Sequence, residues 1–152
     1  MEGWAVYVEN LSYGYAAQLT KNEEAAAYIE ACRLNRNLHL CLYSYMDIAI
    51  HYDGATPEQI GRFLENLGLG QHTNVETIYE YLVEEPCNYL KYYLGYLEFL
   101  SLKQQAEELW GTDYSDYRFH KFVLETGPSD FRSLDELITL HSYHSQNFGN
   151  QS

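Results

Sequence analysis

No His-Glu pair, no Cys-x-x-Cys pair, no Gly-x-Ser-x-Gly elbow and no glycine-rich phosphate loop occurs in these 152 residues. Each absence removes a class of chemistry: helix-borne zinc hydrolysis within this stretch, thioredoxin-like redox exchange, α/β-hydrolase acyl transfer and nucleotide phosphate binding. Basic side chains are scarce as well, 9 against 22 acidic ones, for a formal charge of -13. Such a field repels phosphate backbones and anionic headgroups, so neither nucleic acid nor a membrane is an expected partner. No basic stretch leading into an apolar run opens the chain, and no uncharged apolar run approaches bilayer-spanning length. Cys32, Cys41 and Cys87 are odd in number and sit in apolar helical patterns, where a thiol acts as a small hydrophobe. A reducing, cytoplasmic setting is expected. Strand alternation, hairpin turns, fixed-period repeats and flexible linkers are missing too, so nothing marks an internal domain boundary.

What remains is helical. A chain of this length can bury roughly two thirds of its unfolded surface, and its sixteen tyrosines each join an apolar ring to a hydroxyl that wants a partner when buried. Trp4, Tyr7, Val8 and Leu11 follow helical spacing, and Gly14 predicts the end of a first helix over 2–13. Residues 21–52 contain no Gly or Pro and carry Leu34, Leu38, Cys41, Tyr45, Ile48 and Tyr52 as one apolar stripe, which predicts a long organising helix. Thr56-Pro57-Glu58-Gln59 is a capping box with proline at the first helical position, and Gly68 stops that helix. Thr73 with Glu76 predicts another cap, and Pro86 the opening of the next helix. From Cys87 to Trp110 apolar residues surround the helix, the pattern of a buried one. Asp113 or Ser115 caps a further helix, and Ser133 with Glu136 a last one, after which the polar tail frays. The expected fold is all-α: an irregular bundle of six or seven helices over 1–140 as one domain, with 141–152 a flexible tail.

Histidine is the commonest metal ligand and the usual base near neutral pH, and six are present. His141 and His144 stand one turn apart but have no carboxylate on the same turn. His51 follows Asp47 by four residues, so a carboxylate faces an imidazole and either favours its charged form or fixes its tautomer; the plainer reading is a helix-end cation favoured by the dipole. Glu2 and Glu9 share a face, and from spacing alone Glu2 is an ordinary first-turn acid.

The octapeptide Glu2-Gly3-Trp4-Ala5-Val6-Tyr7-Val8-Glu9 closely resembles the Glu-Gly-Trp-Ala-Leu-Tyr-x-Glu signature of the domain-of-unknown-function 885 family, whose members are grouped with gluzincin-like zinc metallopeptidases. Asp47-Ile48-Ala49-Ile50-His51 is similar to that family's Asp-x-Gly-x-His segment, with Ala49 replacing the glycine. Thr56 to Gln59 is similar to its Ser-x-Glu-Gln helix start. Pro86 to Gly95 resembles its Pro-x-Gln-x-x-x-Tyr-x-x-Gly, with Asn88 in the glutamine position, and Phe119-His120 with Leu124 to Pro128 resembles its Phe-His ending. The matches run in the family's order over about 1–130.

The resemblance implies the C-terminal helical portion of a larger peptidase domain, in which Glu2 is the downstream zinc ligand and Tyr92, His120 and His51 line the cleft. The family's His-Glu segment lies upstream and is missing here. One carboxylate cannot hold Zn²⁺ tightly, and without the missing glutamate nothing activates water. The isolated chain is therefore expected to be inactive and to bind no zinc tightly, zinc and peptide substrate both requiring the upstream half. The alternative is a non-enzymatic interaction module whose tyrosine-rich face takes a protein partner or a second copy. A third reading, a small autonomous enzyme using His120 or His51 as base, has the least behind it.

Overall fold

The structure, a computed structural model, describes residues 1–148, with side chains for 1–71 and 73–141. Its elements are α1 (Glu2–Leu19), α2 (Glu23–His51), α3 (Pro57–Asn66), α4 (Val75–Glu84), α5 (Asn88–Trp110), α6 (Asp116–Thr126) and α7 (Phe131–Phe148), with 3-10 turns at Gly70–His72 and Gly111–Asp113. Among the described residues there are seven α-helices and no strand, so the chain is all-α. No helix among them is long and apolar enough to cross a membrane. The tail expected from 141 falls partly on α7, and 149–152 lie outside the described residues.

Two compact units divide the chain, one of residues 2–96 and one of residues 97–152 with Met1. In the first, α2 is the strut. Asn22 caps it by accepting from the N–H groups of Glu24 and Ala25, and Glu23 and Glu24 complement its dipole. Its C-terminal half packs on α3 and α4 through Met46, Ala49, Ile50, Ile60, Leu64 and Leu82, all buried. Its N-terminal half is joined to α1 by polar contacts. Asn10 and Asn37 exchange amide hydrogen bonds of 3.1 and 2.7 Å, Arg33 donates to Asn10 Oδ1 at 3.2 Å, and Arg36 reaches Glu9 at 3.3 Å. The expected capping box of α3 is present in full: Thr56 and Gln59 each accept from the other's backbone N–H. Gly68 follows at φ +75°, a conformation that a side chain disfavours.

In the second unit, Phe99, Leu102, Ala106, Trp110, Phe119, Phe122, Val123, Leu134 and Ile138 are buried. Ser115 is the α6 cap, accepting from Arg118 N–H at 3.2 Å, and Arg118 lies over the Trp110 ring at 4.6 Å.

Several expectations need correction. Helix α1 runs through Gly14 to Leu19, because nothing crowds that glycine and Ala16, Ala17 and Gln18 beyond it are good helix formers. The long helix α2 is present as expected, and its stripe, whose burial the spacing left open, lies at the surface: Leu34 is 54% exposed, Leu38 53% and Tyr52 87%, while the buried face carries Leu40, Ser44 and Asp47. Asn74, not Thr73, caps α4, since Thr73 turns its hydroxyl back to the Leu69 carbonyl. Pro86 does not open α5. Cys87 stands between them at φ +62°, exposed and outside any helix. On α5, Leu94, Leu97 and Leu100 are exposed, so it is not buried on most sides. Asp130 takes the capping role assigned to Ser133, accepting from Ser133 N–H and Oγ–H at 2.9 Å each.

Candidate functional site

The octapeptide forms the first turns of α1, and most of its residues are accounted for by packing. Val6 and Tyr7 are buried, Trp4 stacks on Tyr7 with ring centroids 5.1 Å apart, and Glu9 meets Arg36. Gly3 is buried against Gly95 of α5: a Cβ built on Gly3 falls 2.3 Å from the Gly95 carbonyl carbon and 2.5 Å from its Cα. The backbones of α1 and α5 touch there, so the glycine of the first motif and the glycine of the fourth form one contact. Glu2 is half-buried beside it. Among the described residues no hydrogen bond or ion pair engages its carboxylate.

Tyr92, half-buried, precedes Gly95 by almost one turn on α5, and Lys91 Nζ stands 5.6 Å from its ring centroid. The contact at Gly3 and Gly95 therefore limits the separation of the Glu2 and Tyr92 Cα atoms to roughly 13 Å.

His51 ends α2. Its Nε2 lies 3.0 Å from the Leu82 carbonyl oxygen and 3.6 Å from Asp47 Oδ1. A carbonyl oxygen only accepts, so Nε2 carries the proton, and the tautomer is set by Leu82 with Asp47 alongside. Asp47 is 1% exposed; its Oδ1 accepts the Cys87 N–H at 3.1 Å, while Oδ2 has no hydrogen-bond partner among the described residues. The Asp-x-x-x-His segment thus clasps the end of α2 to the last turn of α4 and the start of α5.

Beside this clasp lies an aromatic group that the sequence reading did not single out. His39 stacks on Tyr43 at 4.3 Å, Tyr43 lies 4.5 Å from Tyr89, and Tyr81 meets Tyr89 edge-on at 6.1 Å. Asn88 Nδ2 donates to the Tyr81 hydroxyl at 3.0 Å. Partial burial, reinforced by Arg36, holds the His39 imidazole below its usual range. Burial, with Tyr81 and Tyr43 adding to it, pushes the Tyr89 phenol up to about 12, so it stays a neutral donor. The four-residue step from His39 to Tyr43 was the available sequence signal.

His120 belongs to the second unit, half-buried on α6 with its ring 5.9 Å from that of Phe119. Burial lowers its pKa, the nearby Asp116 opposes this, and Lys103 adds to it. Asp116 receives Lys103 Nζ at 2.9 Å and the Tyr114 hydroxyl at 2.6 Å, which together hold its carboxyl below the usual range. His141 meets Phe122 edge-on at 5.2 Å, and the side chain of His144 is outside the described residues.

Among the described residues no three His, Cys, Asp or Glu side chains come together as a metal-holding group. Glu2 is a suitable oxygen donor for one position of a zinc site, but these residues do not by themselves fit a resident zinc ion.

The sequence family described as "Bacterial protein of unknown function (DUF885)" matches residues 1–138. No curated protein and no solved structure matches.

Proposed function

This chain belongs to the DUF885 family, and on that premise we propose that it is the C-terminal helical portion of a zinc metallopeptidase. In this reading Glu2 supplies one zinc ligand and Tyr92, with the His51 end of α2, lines part of a peptide cleft. His120, on α6, is a candidate by the resemblance alone. The zinc-binding histidines and the water-activating glutamate come from an upstream segment, so the chain alone does not hydrolyse peptides.

The observation that supports this reading is the state of Glu2. Its octapeptide neighbours Gly3, Trp4, Val6, Tyr7 and Glu9 each have a packing or pairing role, while its own carboxylate has none among the described residues. The exposed stripe of α2, Leu34, Leu38, Tyr45, Ile48 and Tyr52, gives the upstream segment an apolar surface to cover.

Co-expression of the chain with its upstream coding region tests the proposal. The complex is expected to contain tightly bound zinc and to cleave peptides, and Glu2→Gln to lose both. Zinc retention by Glu2→Gln would sink the ligand assignment.

The same stripe favours a second reading, a non-enzymatic interaction module binding a protein partner through its tyrosine-rich surface. A complex with the upstream segment that forms through this stripe but binds no zinc is the outcome that selects it.

A further inference from the structure

From the contact between Gly3 and Gly95 we infer that these two glycines are positioning residues, a backbone joint that sets the Glu2 carboxylate against the Tyr92 segment of α5. The inference rests on the reading of Glu2 as a ligand given above.

Two features of the joint carry it. A side chain at Gly3 would meet three Gly95 backbone atoms, C, Cα and O, at 2.3 to 2.6 Å, and backbone inside a helix cannot swing aside as a side-chain tip does. A side chain at Gly95 meets Gly3 Cα at 2.9 Å and N at 3.3 Å, a milder clash. Helices normally pack with axes 8–10 Å apart, held off by side chains, and this pair lacks that spacer at the contact. The position of Glu2, next in the chain to Gly3, is therefore tied to backbone and not to adjustable packing.

The second feature is what happens at the other end of the same α5 segment. Cys87, just before α5, is held by its N–H bond to the buried Asp47 carboxylate on α2. Tyr92 thus lies between two fixed points, Asp47 at the start of α5 and Gly3 one turn beyond the tyrosine. The octapeptide, the Asp47 segment and the Pro86 to Gly95 segment meet through these two contacts. A ligand whose partners come from elsewhere in a protein gains from being held in advance, since the ordering cost is met before binding.

The joint gives a graded prediction. Gly3→Ala must displace α1, Gly95→Ala displaces it less, and Gly14→Ala, which meets nothing within 4 Å, serves as the neutral control. In the complex with the upstream segment, zinc affinity measured by competition with a chromophoric chelator is expected to fall roughly ten- to a hundredfold for Gly3→Ala, the range seen when supporting residues of a metal site are lost. Gly95→Ala is expected to fall by less and Gly14→Ala not at all. Helix content by circular dichroism is expected to persist in Gly95→Ala, so this variant decides the matter if Gly3→Ala fails to fold.

A metal-independent measurement accompanies these: in the isolated chain, an Overhauser effect between the α-protons of Gly3 and Gly95, lost in Gly95→Ala. Absence of that effect in the wild-type chain overturns the joint. Loss of zinc in Glu2→Gln with unchanged affinity in Gly3→Ala and Gly95→Ala overturns the positioning role alone. Unchanged affinity in Glu2→Gln, or a wild-type complex without zinc, overturns the ligand reading and the positioning role with it.

Discussion

The carboxylate of Asp47, 1% exposed, accepts the backbone N–H of Cys87 at 3.1 Å and so fixes a residue held at φ +62°. A left-handed conformation costs a non-glycine residue about 1–2 kcal/mol, which the buried hydrogen bond offsets. Removing the acceptor with Asp47→Ala should lower stability by about 2 kcal/mol, read as a shift in the urea midpoint. Asp47→Asn keeps an oxygen for Cys87 and breaks no hydrogen bond at Oδ2 among the described residues, but buries an amide donor there, so it should fall between Asp47→Ala and wild type.

Cys87→Gly removes the strain without touching the clasp. A gain of up to roughly 1 kcal/mol is expected, partly cancelled by the greater freedom of glycine in the unfolded chain. Loss of stability would mean that the thiol itself contributes to the junction.

Mild acid should weaken the fold through two histidines. Partial burial and Arg36 hold the His39 pKa below 6.5, and burial lowers that of His120. Where the folded pKa is the lower one, the unfolded chain takes up protons first as pH falls. The stability these neutral imidazoles confer is complete above about 6.5 and is lost as pH falls toward their folded values. The thermal midpoint should therefore drop between pH 7 and pH 5, and His39→Phe, which keeps the stack on Tyr43, should reduce that drop. Asp116, whose pKa is lowered by Tyr114 and Lys103, adds a further loss at more acid pH, below its unfolded value near 3.8.

The two faces of α2 should respond oppositely to truncation. Leu40→Ala removes a buried side chain and should cost about 2–5 kcal/mol in denaturant unfolding. Leu34→Ser and Leu38→Ser, both at half-exposed positions, should stay within about 0.5 kcal/mol of wild type, yet weaken association with the upstream segment in a pull-down against the purified partner.

This contrast marks what the sequence makes legible. Periodicity and capping signals gave six or seven helices, against seven among the described residues, and the α3 capping box, because these depend on neighbours within one turn. Periodicity did not show which face of α2 is buried, because an apolar stripe reports an apolar face and not the presence of something to cover it, and because Ser44 and Asp47 disguise the buried face as polar. Two caps were misplaced where adjacent residues compete: Thr73 with Asn74, and Ser133 with Asp130. Pro86 reads as a helix start in the sequence because the acceptor that holds Cys87 in its turn is on α2, far away along the chain. The candidate site divides the same way. Glu2 and Tyr92 were named as candidates from their motifs alone, whereas the contact between their segments joins α1 to α5, and the His39–Tyr43 pair of α2 meets Tyr89 on α5.

The joint at Gly3 and Gly95 also has a genetic consequence. Both positions already hold the smallest residue, so a bulkier allele at one cannot be suppressed by shrinking the other. Any revertant of such an allele must restore the glycine itself or shift a whole helix, and a screen for second-site suppressors should return changes along α1 and α5 but never at the opposing glycine.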